Sequence, residues 1–212
     1  MLITKKRAQS FIPSKKLSSN KTDHGHVMII AGNNKLLGAG ILASLAATKS
    51  GAGYTHLMSE LDLKAKKYFP DFILHPINSK SLNKKENFAF AIGPGLGIEA
   101  QKRKLLISLK KNKYERVVVD ADALSILSKL NTKLPSAWIL TPHEGEAARL
   151  LGKTDKFVKN NRLSSLVAIH KKYGCHVLLK GQESLIIDDR GEVYKTKFAN
   201  QALAKAGKLN YF

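Results

Sequence analysis

The stretch WILTPHEGEAARLL, from Trp138 to Leu151, contains the pattern that decides the fold. Residues 137–140 form a short apolar run, which predicts the end of a buried strand. The residues that follow predict a helix start, with Thr141 as the cap, Pro142 in the first turn and Glu144 completing a capping box. The stretch therefore predicts a strand that leads directly into a helix.

His143 lies at the point where this strand gives way to the helix, and Gly152 is expected to end the helix. In parallel α/β sheets, ligands bind at the carboxyl ends of strands, so His143 is a candidate ligand contact. A well-capped helix with an exposed histidine explains the same residues, and both interpretations stay open on the spacing alone.

The same alternation of strand and helix extends in both directions along the chain. Apolar runs predict strands at 26–31, 54–58, 72–77, 88–92, 117–119 and 176–179, and helical patterns cover 60–68, 99–111 and 157–173. The strand interiors are continuously apolar, which is typical of a parallel sheet covered on both faces. We therefore expect a single α/β domain with a mostly parallel sheet.

Two groups of small residues follow predicted strands. Gly38-Ala39-Gly40 opens a helix that is apolar nearly all round, so we expect that helix to be buried between other elements. Gly93–Gly97 contains three glycines in five residues. Small residues let a ligand approach backbone N–H groups, although close helix–strand packing would explain them equally well.

Acidic residues mark two further strand ends. Asp120 and Asp122 follow the strand at 117–119, where a carboxylate can bind a metal, hold a hydroxyl group or cap the next helix. Capping is the favoured interpretation. Asp188–Gly191 predicts a hairpin turn between two short strands.

Composition limits the classes of function. The chain has 212 residues, 43% of them hydrophobic, and a formal net charge of +20. The lysines occur in short scattered clusters and no helix carries a basic face with interleaved aromatics, so a solvated surface is favoured over specific nucleic-acid binding. No apolar run reaches the ~18 residues of a membrane span.

The single cysteine, Cys175, excludes a disulfide framework and a thiolate metal site, and it favours a cytoplasmic location. Residues 1–20 contain no acidic residue and are predicted to be an irregular basic lead-in, and residues 21–212 are predicted to form the domain.

Six segments in order resemble the ADP-dependent NAD(P)H-hydrate dehydratases, which are ribokinase-like enzymes of cofactor repair. The segments are KTDHGHVMIIAGNNKLLGAGILASLAATKSGAG (21–53), AIGPGLG (91–97), VVVDADAL (117–124), ILTPHEGEAARLLG (139–152), VLLKG (177–181) and ANQALAKAG (199–207). Each is weak alone, but their common order makes the resemblance strong. It implies a three-layer α/β/α fold.

The resemblance also implies a reaction and its partners. The substrate would be NAD(P)HX, the cofactor with a hydroxyl group at C6 of its nicotinamide ring, and ADP with Mg²⁺ would donate the phosphoryl group. Ala39, Gly95 and His143 match the residues that hold the hydrate. The adenine-nucleotide segment matches Lys180, Gly181, Gln182, Glu183 and Ser184. No metal-ligating residue is predicted, and the family suggests a homo-oligomer.

The chain departs from the family at a Gly-Thr-Gly-Asp motif that begins at Gly207. Leu209 replaces the second glycine of this nucleotide-binding turn, and Asn210 replaces the aspartate that serves as catalytic base. The chain then ends at Phe212, which is the pattern expected of a truncation or frameshift within the motif, and an evolved loss of activity would give the same pattern. We therefore expect impaired activity.

Two alternatives to the repair enzyme stay open. One is a kinase for a small alcohol on the same fold, against which the GPGLG and TPHEGE segments together argue. The other is a non-catalytic nucleotide-binding protein that retains the pocket and lacks the base.

Overall fold

The computed structural model describes residues 1–12, 18–60, 71–83, 85 and 87–196, and within these ranges ten strands form one sheet. The strands are β1 (Leu2–Ile3), β2 (His26–Ile30), β3 (Tyr54–Ser59), β4 (Ile73–Pro76), β5 (Phe88–Ile92), β6 (Val117–Val119), β7 (Ile139–Leu140), β8 (His176–Leu179), β9 (Leu185–Ile187) and β10 (Val193–Thr196). The helices are α1 (Lys5–Gln9), α2 (Leu37–Lys49), α3 (Arg103–Lys111), α4 (Asp122–Ser128), α5 (Glu144–Leu151), α6 (Asp155–Asn160) and α7 (Arg162–Tyr173).

The strand order is β1-β10-β9-β8-β7-β6-β5-β2-β3-β4, and β9 alone runs antiparallel to both of its neighbours in this sheet. Strands β2, β5, β6, β7 and β8 are therefore consecutive and parallel, which brings their carboxyl ends to one edge. The predicted mostly parallel sheet is confirmed.

A row of buried apolar side chains lies beneath this edge. Pairing aligns Ile30 with Ile92, Ile92 with Val119, and Val119 with Leu140. All four side chains are buried. The row gives the loops above it a rigid base, because close-packed side chains leave little room for movement.

Helices cover both faces of the sheet. The larger core joins α3, α4, α5 and α7 to one face through residues such as Leu105, Leu124, Ala147 and Leu166. On the opposite face, α2 packs against β2 and β3. The molecule is thus an α/β protein of three layers, as expected.

Helix α2 is less enclosed than its apolar sequence predicted. Only Gly40, Ala43 and Ser44 of this helix are buried, and Leu42 is 40% exposed in the described structure. The helix packs on the sheet through these residues and through the half-buried Ile41 and Leu45, and its other side is exposed in the described structure, so the prediction of a helix buried between other elements was wrong.

Two other predicted elements differ in their limits. Asn161 interrupts the single helix predicted over 157–173, dividing it into α6 and α7. The helix predicted over 99–111 starts at Arg103 and is preceded by a 3-10 turn at Ala100–Lys102. Most of the helix predicted over 60–68 lies outside the described residues.

The first residues are more regular than the predicted lead-in. Leu2–Ile3 pairs in parallel with Lys195 and Thr196 of β10, and the short helix α1 follows, so the prediction of irregular structure was wrong here. A strand of two residues has too few positions to show a periodic pattern. In the part of the chain that the structure describes, no helix has the length and apolarity needed to cross a bilayer.

Candidate active site

The candidate site consists of the loops that follow β2, β5, β6, β7 and β8. These strands are neighbours, so the loops lie side by side along one edge of the sheet. The edge is a position at which α/β proteins bind ligands. It brings together the Ala39, Gly95, His143 and Lys180–Ser184 segments that the sequence singled out.

The glycine-rich loop after β5 is held close to its two neighbours. The Pro94 carbonyl accepts a hydrogen bond of 2.9 Å from the Gly32 amide. Gly93 has φ +132°, and a Cβ atom there would lie 1.8 Å from the Asp120 carbonyl oxygen. Glycine is required at this position both by the backbone angle and by the contact.

Ala39 and Gly95 are in direct proximity. A Cβ atom built on Gly95 would lie 3.0 Å from the Cβ atom of Ala39 and 2.9 Å from the Leu36 carbonyl oxygen. Gly95 also has φ +60°. The two small residues predicted to hold one ligand therefore line the same narrow gap between the β5 loop and the start of α2.

The two aspartates after β6 do not cap α4. An Asp122 carboxylate oxygen accepts a 2.8 Å hydrogen bond from the Gly97 amide, and an Asp120 oxygen lies 2.8 Å from Lys180 Nζ. Ala121 occupies the cap position with φ +47°, and no side chain caps the helix there. The capping interpretation was wrong, since both carboxylates have partners in other loops.

His143 is the N-cap of α5. Its Nδ1 atom accepts from the Gly145 amide at 3.0 Å and the Glu146 amide at 3.4 Å, while Glu146 Oε2 accepts from the His143 amide at 2.8 Å. The predicted capping box exists, but it starts two residues later than Thr141. Thr141 instead continues the sheet, its amide donating to the Val119 carbonyl at 3.1 Å.

Capping also selects the tautomer of a neutral His143 ring. Because Nδ1 accepts, a neutral imidazole carries its proton on Nε2, which lies 3.5 Å from Glu146 Oε1. The side chain is 61% exposed. An N–H donor therefore stands at the surface of the site beside a helix N-terminus.

Lys180, which follows β8, forms ion pairs with Asp120 in the loop after β6 and with Glu146 in helix α5 after β7. Its Nζ atom is 2.8 Å from Asp120 Oδ1 and 3.8 Å from Glu146 Oε2. Burial raises the pKa of the Glu146 carboxyl, and Asp120 adds to this, whereas the His143 amide and Lys180 oppose it. The ammonium group of Lys180 thus lies near one carboxylate from the loop after β6 and one from helix α5.

Arg162 holds the segment that follows β8. Its guanidinium donates to the carbonyl of Glu183 at 2.8 Å and to the carbonyl of Lys180 at 3.4 Å, and it pairs with the Glu144 carboxylate. Sequence reasoning missed this residue. The available signal was weak: Arg162 is the sole arginine between residues 150 and 189 of a lysine-rich chain.

The rest of the predicted nucleotide segment is exposed or bound to β10. Gly181 packs against the Arg162 guanidinium, and Gln182 is exposed. The Glu183 carboxylate pairs with Lys195, and the Ser184 amide donates to Thr196 Oγ1 at 3.1 Å. The segment thus has a fixed backbone.

A cavity of about 240 Å³ joins the two predicted ligand regions. It is lined by His143, Glu144, Gly145, Asp155, Lys159, Lys180 and Gly181. His143 and Gly95 follow strands β7 and β5, which lie on either side of β6 in the sheet. Leu209 and Asn210 lie outside the described residues.

No preformed metal centre was found among the residues whose placement the structure describes. They contain no group of three or more His, Cys, Asp or Glu side chains able to hold a metal ion.

The fold and the loops along its edge define a ribokinase-like protein. A ribokinase-like protein of Enterococcus faecalis superposes with a TM-score of 0.83 at 23% identity, covering 97% of this chain and 74% of that one. The family model described as NAD(P)H-hydrate dehydratase matches residues 27–208, and the chain belongs to that family.

Two curated relatives agree with this assignment. The ADP-dependent (S)-NAD(P)H-hydrate dehydratase of Neisseria meningitidis is 32% identical over 98% of this chain and 73% of its own length. The bifunctional NAD(P)H-hydrate repair enzyme of Vibrio cholerae is 33% identical over 95% of this chain. The chain spans 41% of that bifunctional enzyme's length.

Proposed function

We propose that this chain acts in the ADP-dependent dehydration of NAD(P)HX to NAD(P)H. The observation that carries the proposal is the family match, which extends over every loop of the candidate site up to Lys208. The name of the Neisseria meningitidis relative, which aligns with nearly the whole chain, supports the choice of substrate and nucleotide.

The substrate would lie over the β5 loop, with Ala39 and Gly95 allowing close approach and His143 donating from Nε2. The adenine nucleotide would lie along Lys180, Gly181, Gln182, Glu183 and Ser184. The 240 Å³ cavity supports this arrangement, because His143 and Lys180 both line it.

The chemistry balances with these two ligands alone. The C6 hydroxyl loses its proton to a base, its oxygen bonds to the terminal phosphorus of ADP, and AMP leaves. The C6–O bond then breaks with departure of phosphate, and loss of a ring proton from C5 restores the double bond. Mg²⁺ would neutralise the phosphate oxygens of the nucleotide.

The position of the base limits the activity that we propose. Asn210 stands where the family has an aspartate, and an amide cannot accept a proton at neutral pH. A general base contributes about 10²- to 10⁴-fold to a rate. Leu209 adds a Cβ atom where the family's glycine lets phosphate meet backbone amides.

We therefore expect turnover to be about 10²-fold or more below that of the Neisseria meningitidis relative. The purified protein is incubated with NADH hydrate, ADP and Mg²⁺ while the return of NADH absorbance is followed. Turnover at the rate of the relative would show that a different group serves as base.

The second candidate function is nucleotide binding without catalysis, which Leu209 and Asn210 favour. Calorimetry with ADP, AMP and NADPH separates the two. Binding of these ligands without turnover selects the non-catalytic protein, and binding of none of them at moderate salt would contradict both functions.

We also propose a cytoplasmic location and a homo-oligomeric state. The buried thiol of Cys175 supports a reducing compartment. The oligomeric state follows from the family alone, and light scattering after size exclusion tests it directly.

A further inference from the structure

The outward face of α3 carries cations around one exposed apolar residue. Five residues of this helix are exposed, and their spacing places them on one face, which we call the α3 stripe: Arg103, Lys104, Ile107, Lys110 and Lys111. Ile107 is 46% exposed, with a pair of cations about one helical turn away on either side. The stripe therefore has an apolar centre and basic ends.

A hollow of about 230 Å³ adjoins one side of the stripe. Its lining consists of four apolar side chains and four that are charged or polar: Leu106, Ile107, Leu130 and Leu134, with Arg103, Lys110, Asn131 and Thr132. The volume is below the roughly 300–1,000 Å³ of small-molecule sites. A hollow of this size and apolar lining suits one side chain of another protein.

A second hollow, of about 340 Å³, adjoins the other side of Ile107 and is more polar. It is lined by three lysines, by serine and asparagine side chains and by Ile107: Ser79, Lys80, Asn83, Lys104, Ile107, Ser108, Lys111 and Asn112. Ser108 Oγ donates to the Ser79 carbonyl at 3.2 Å, which joins α3 to the neighbouring turn. The second hollow suits carboxylates, because its ammonium groups come from two elements.

The cations of the stripe have no acidic partner in the part of the chain that the structure describes. Helix α3 itself contains no acidic residue, and no carboxylate lines either hollow. The ion pairs among the described residues include none of the four stripe cations. Lys110 donates instead to the Thr132 hydroxyl. This concentration of positive charge attracts an anionic partner.

We propose that the α3 stripe and its two hollows form a docking surface for an acidic amphipathic helix of another protein. An apolar side chain of that helix enters the 230 Å³ hollow beside Ile107, and its carboxylates pair with the cations at both ends of the stripe. Arg103 and Lys110 are two turns apart, about 10 Å along the axis, and acidic residues at the same spacing on the partner match them. The stripe lies outside the 240 Å³ cavity, so this surface is separate from the proposed function.

The chemistry of the surface favours a protein helix over other anionic partners. Nucleic acid offers phosphates but no aliphatic side chain for the 230 Å³ hollow, and the stripe has no aromatic ring on which a base could stack. A membrane-surface helix needs a broad apolar face, whereas Ile107 is the sole exposed apolar residue of α3. A second copy of this chain, with its net charge of +20, would bring like charges together.

The test uses a fluorescein-labelled helical peptide of about 15 residues. It has leucine at the centre of one face and glutamates one turn away on either side, and a scrambled peptide of the same composition is its control. Fluorescence anisotropy measures the affinity of the full chain at about 0.1 M salt. The designed peptide is expected to bind at least fivefold more tightly than the scrambled one.

Two pairs of variants locate the contact. Ile107→Ser and Lys111→Glu should each weaken binding of the designed peptide about fivefold. Leu42→Ser and Lys49→Glu make the same changes at exposed positions of α2, on the opposite face of the sheet, and should leave the affinity unchanged. Urea unfolding verifies that the four variants are folded.

Three results would overturn the proposal. Equal binding of the designed and scrambled peptides, or equal effects of the α2 and α3 variants, would reduce the interaction to net charge. Displacement of the peptide by a short single-stranded RNA that binds more tightly and ignores Ile107→Ser would assign the surface to nucleic acid. Self-association in light scattering that Ile107→Ser abolishes would assign it to a second copy of the chain.

Discussion

Lys180 Nζ lies 2.8 Å from Asp120 Oδ1, although 60 residues separate the two positions along the chain. The contact joins the loop after β8 to the loop after β6 across the end of β7. This ion pair therefore holds the proposed nucleotide segment, which begins at Lys180, close to the loop after β6, whose Asp120 carbonyl packs against Gly93.

Replacing Lys180 should weaken nucleotide binding. Lys180→Met removes the ammonium group that lines the 240 Å³ cavity, and a lost charge-assisted contact corresponds to about 10- to 100-fold in affinity for ADP. Calorimetry measures the change, and urea unfolding verifies the fold, since Asp120 and Glu146 lose their shared cation. Lys129→Met is the control, because Lys129 is exposed and does not line this cavity. Unchanged affinity in Lys180→Met would place the nucleotide elsewhere.

Gly95→Ala should destabilise the protein more than Gly152→Ala. Both glycines have positive φ, +60° and +63°, so each alanine bears the left-handed strain of about 1–2 kcal/mol. A Cβ atom meets nothing within 4 Å at Gly152 but lies 2.9 Å from Leu36 at Gly95. We expect an additional loss of about 1–3 kcal/mol in the free energy of unfolding. Equal losses in urea titrations would show that the β5 loop shifts freely.

Substitutions of His143 separate its capping from its ligand contact. His143→Ala removes the cap and should lower the free energy of unfolding by about 1 kcal/mol. Asparagine is a good N-cap residue, so His143→Asn should retain stability. We expect both variants to lose affinity for NADH, because neither presents a donor at the position of Nε2. Wild-type NADH binding by His143→Asn would limit the imidazole to capping.

A chain of three histidines around the buried His56 should make stability depend on pH. His56 contacts His26 at 3.1 Å and His75 at 2.9 Å through its two ring nitrogens. Burial first, and then the charges of His75, His26 and Lys85, lower the pKa of His56 from 6.5 to about 4. The folded protein therefore holds fewer protons than the unfolded chain between these values, and its stability falls as the pH drops through this range.

The loss attributable to His56 is on the order of 3 kcal/mol between pH 6.5 and pH 4. Urea unfolding at several pH values measures it, with His56→Phe as the comparison. The variant should lose clearly less stability over the same range. Parallel pH profiles for the two proteins would assign the acid sensitivity to other groups.

The strands of the edge could be predicted because buried parallel strands are continuously apolar. Runs such as 88–92 and 117–119 appear in the structure with the predicted limits. The helix start near Thr141 was misplaced because pairing with the sheet continues beyond the apolar run. The Thr141 amide donates to Val119, and the Pro142 carbonyl accepts from Lys180 at 2.8 Å. These long-range contacts hold the chain extended until His143.

The roles of Asp120, Asp122 and Arg162 could not be read from local sequence. Each acts through a partner in another loop: Lys180, Gly97 and the Glu183 carbonyl. A local pattern favours capping for an aspartate before a helix. Here the partners in other loops hold both carboxylates away from the cap position. The position of Asn210 relative to the site stays a prediction, because it lies outside the described residues.

Ala121, between the two aspartates, has φ +47° and ψ −122°, a conformation that costs an alanine about 1–3 kcal/mol. A short peptide covering 117–128 would relax out of it, so the two carboxylates take their positions only when β6 is paired on both sides. The arrangement of the loops at this edge therefore does not form in a short segment of the chain alone. It forms together with the sheet, because β6 must be paired with β5 and β7 before the two carboxylates take these positions.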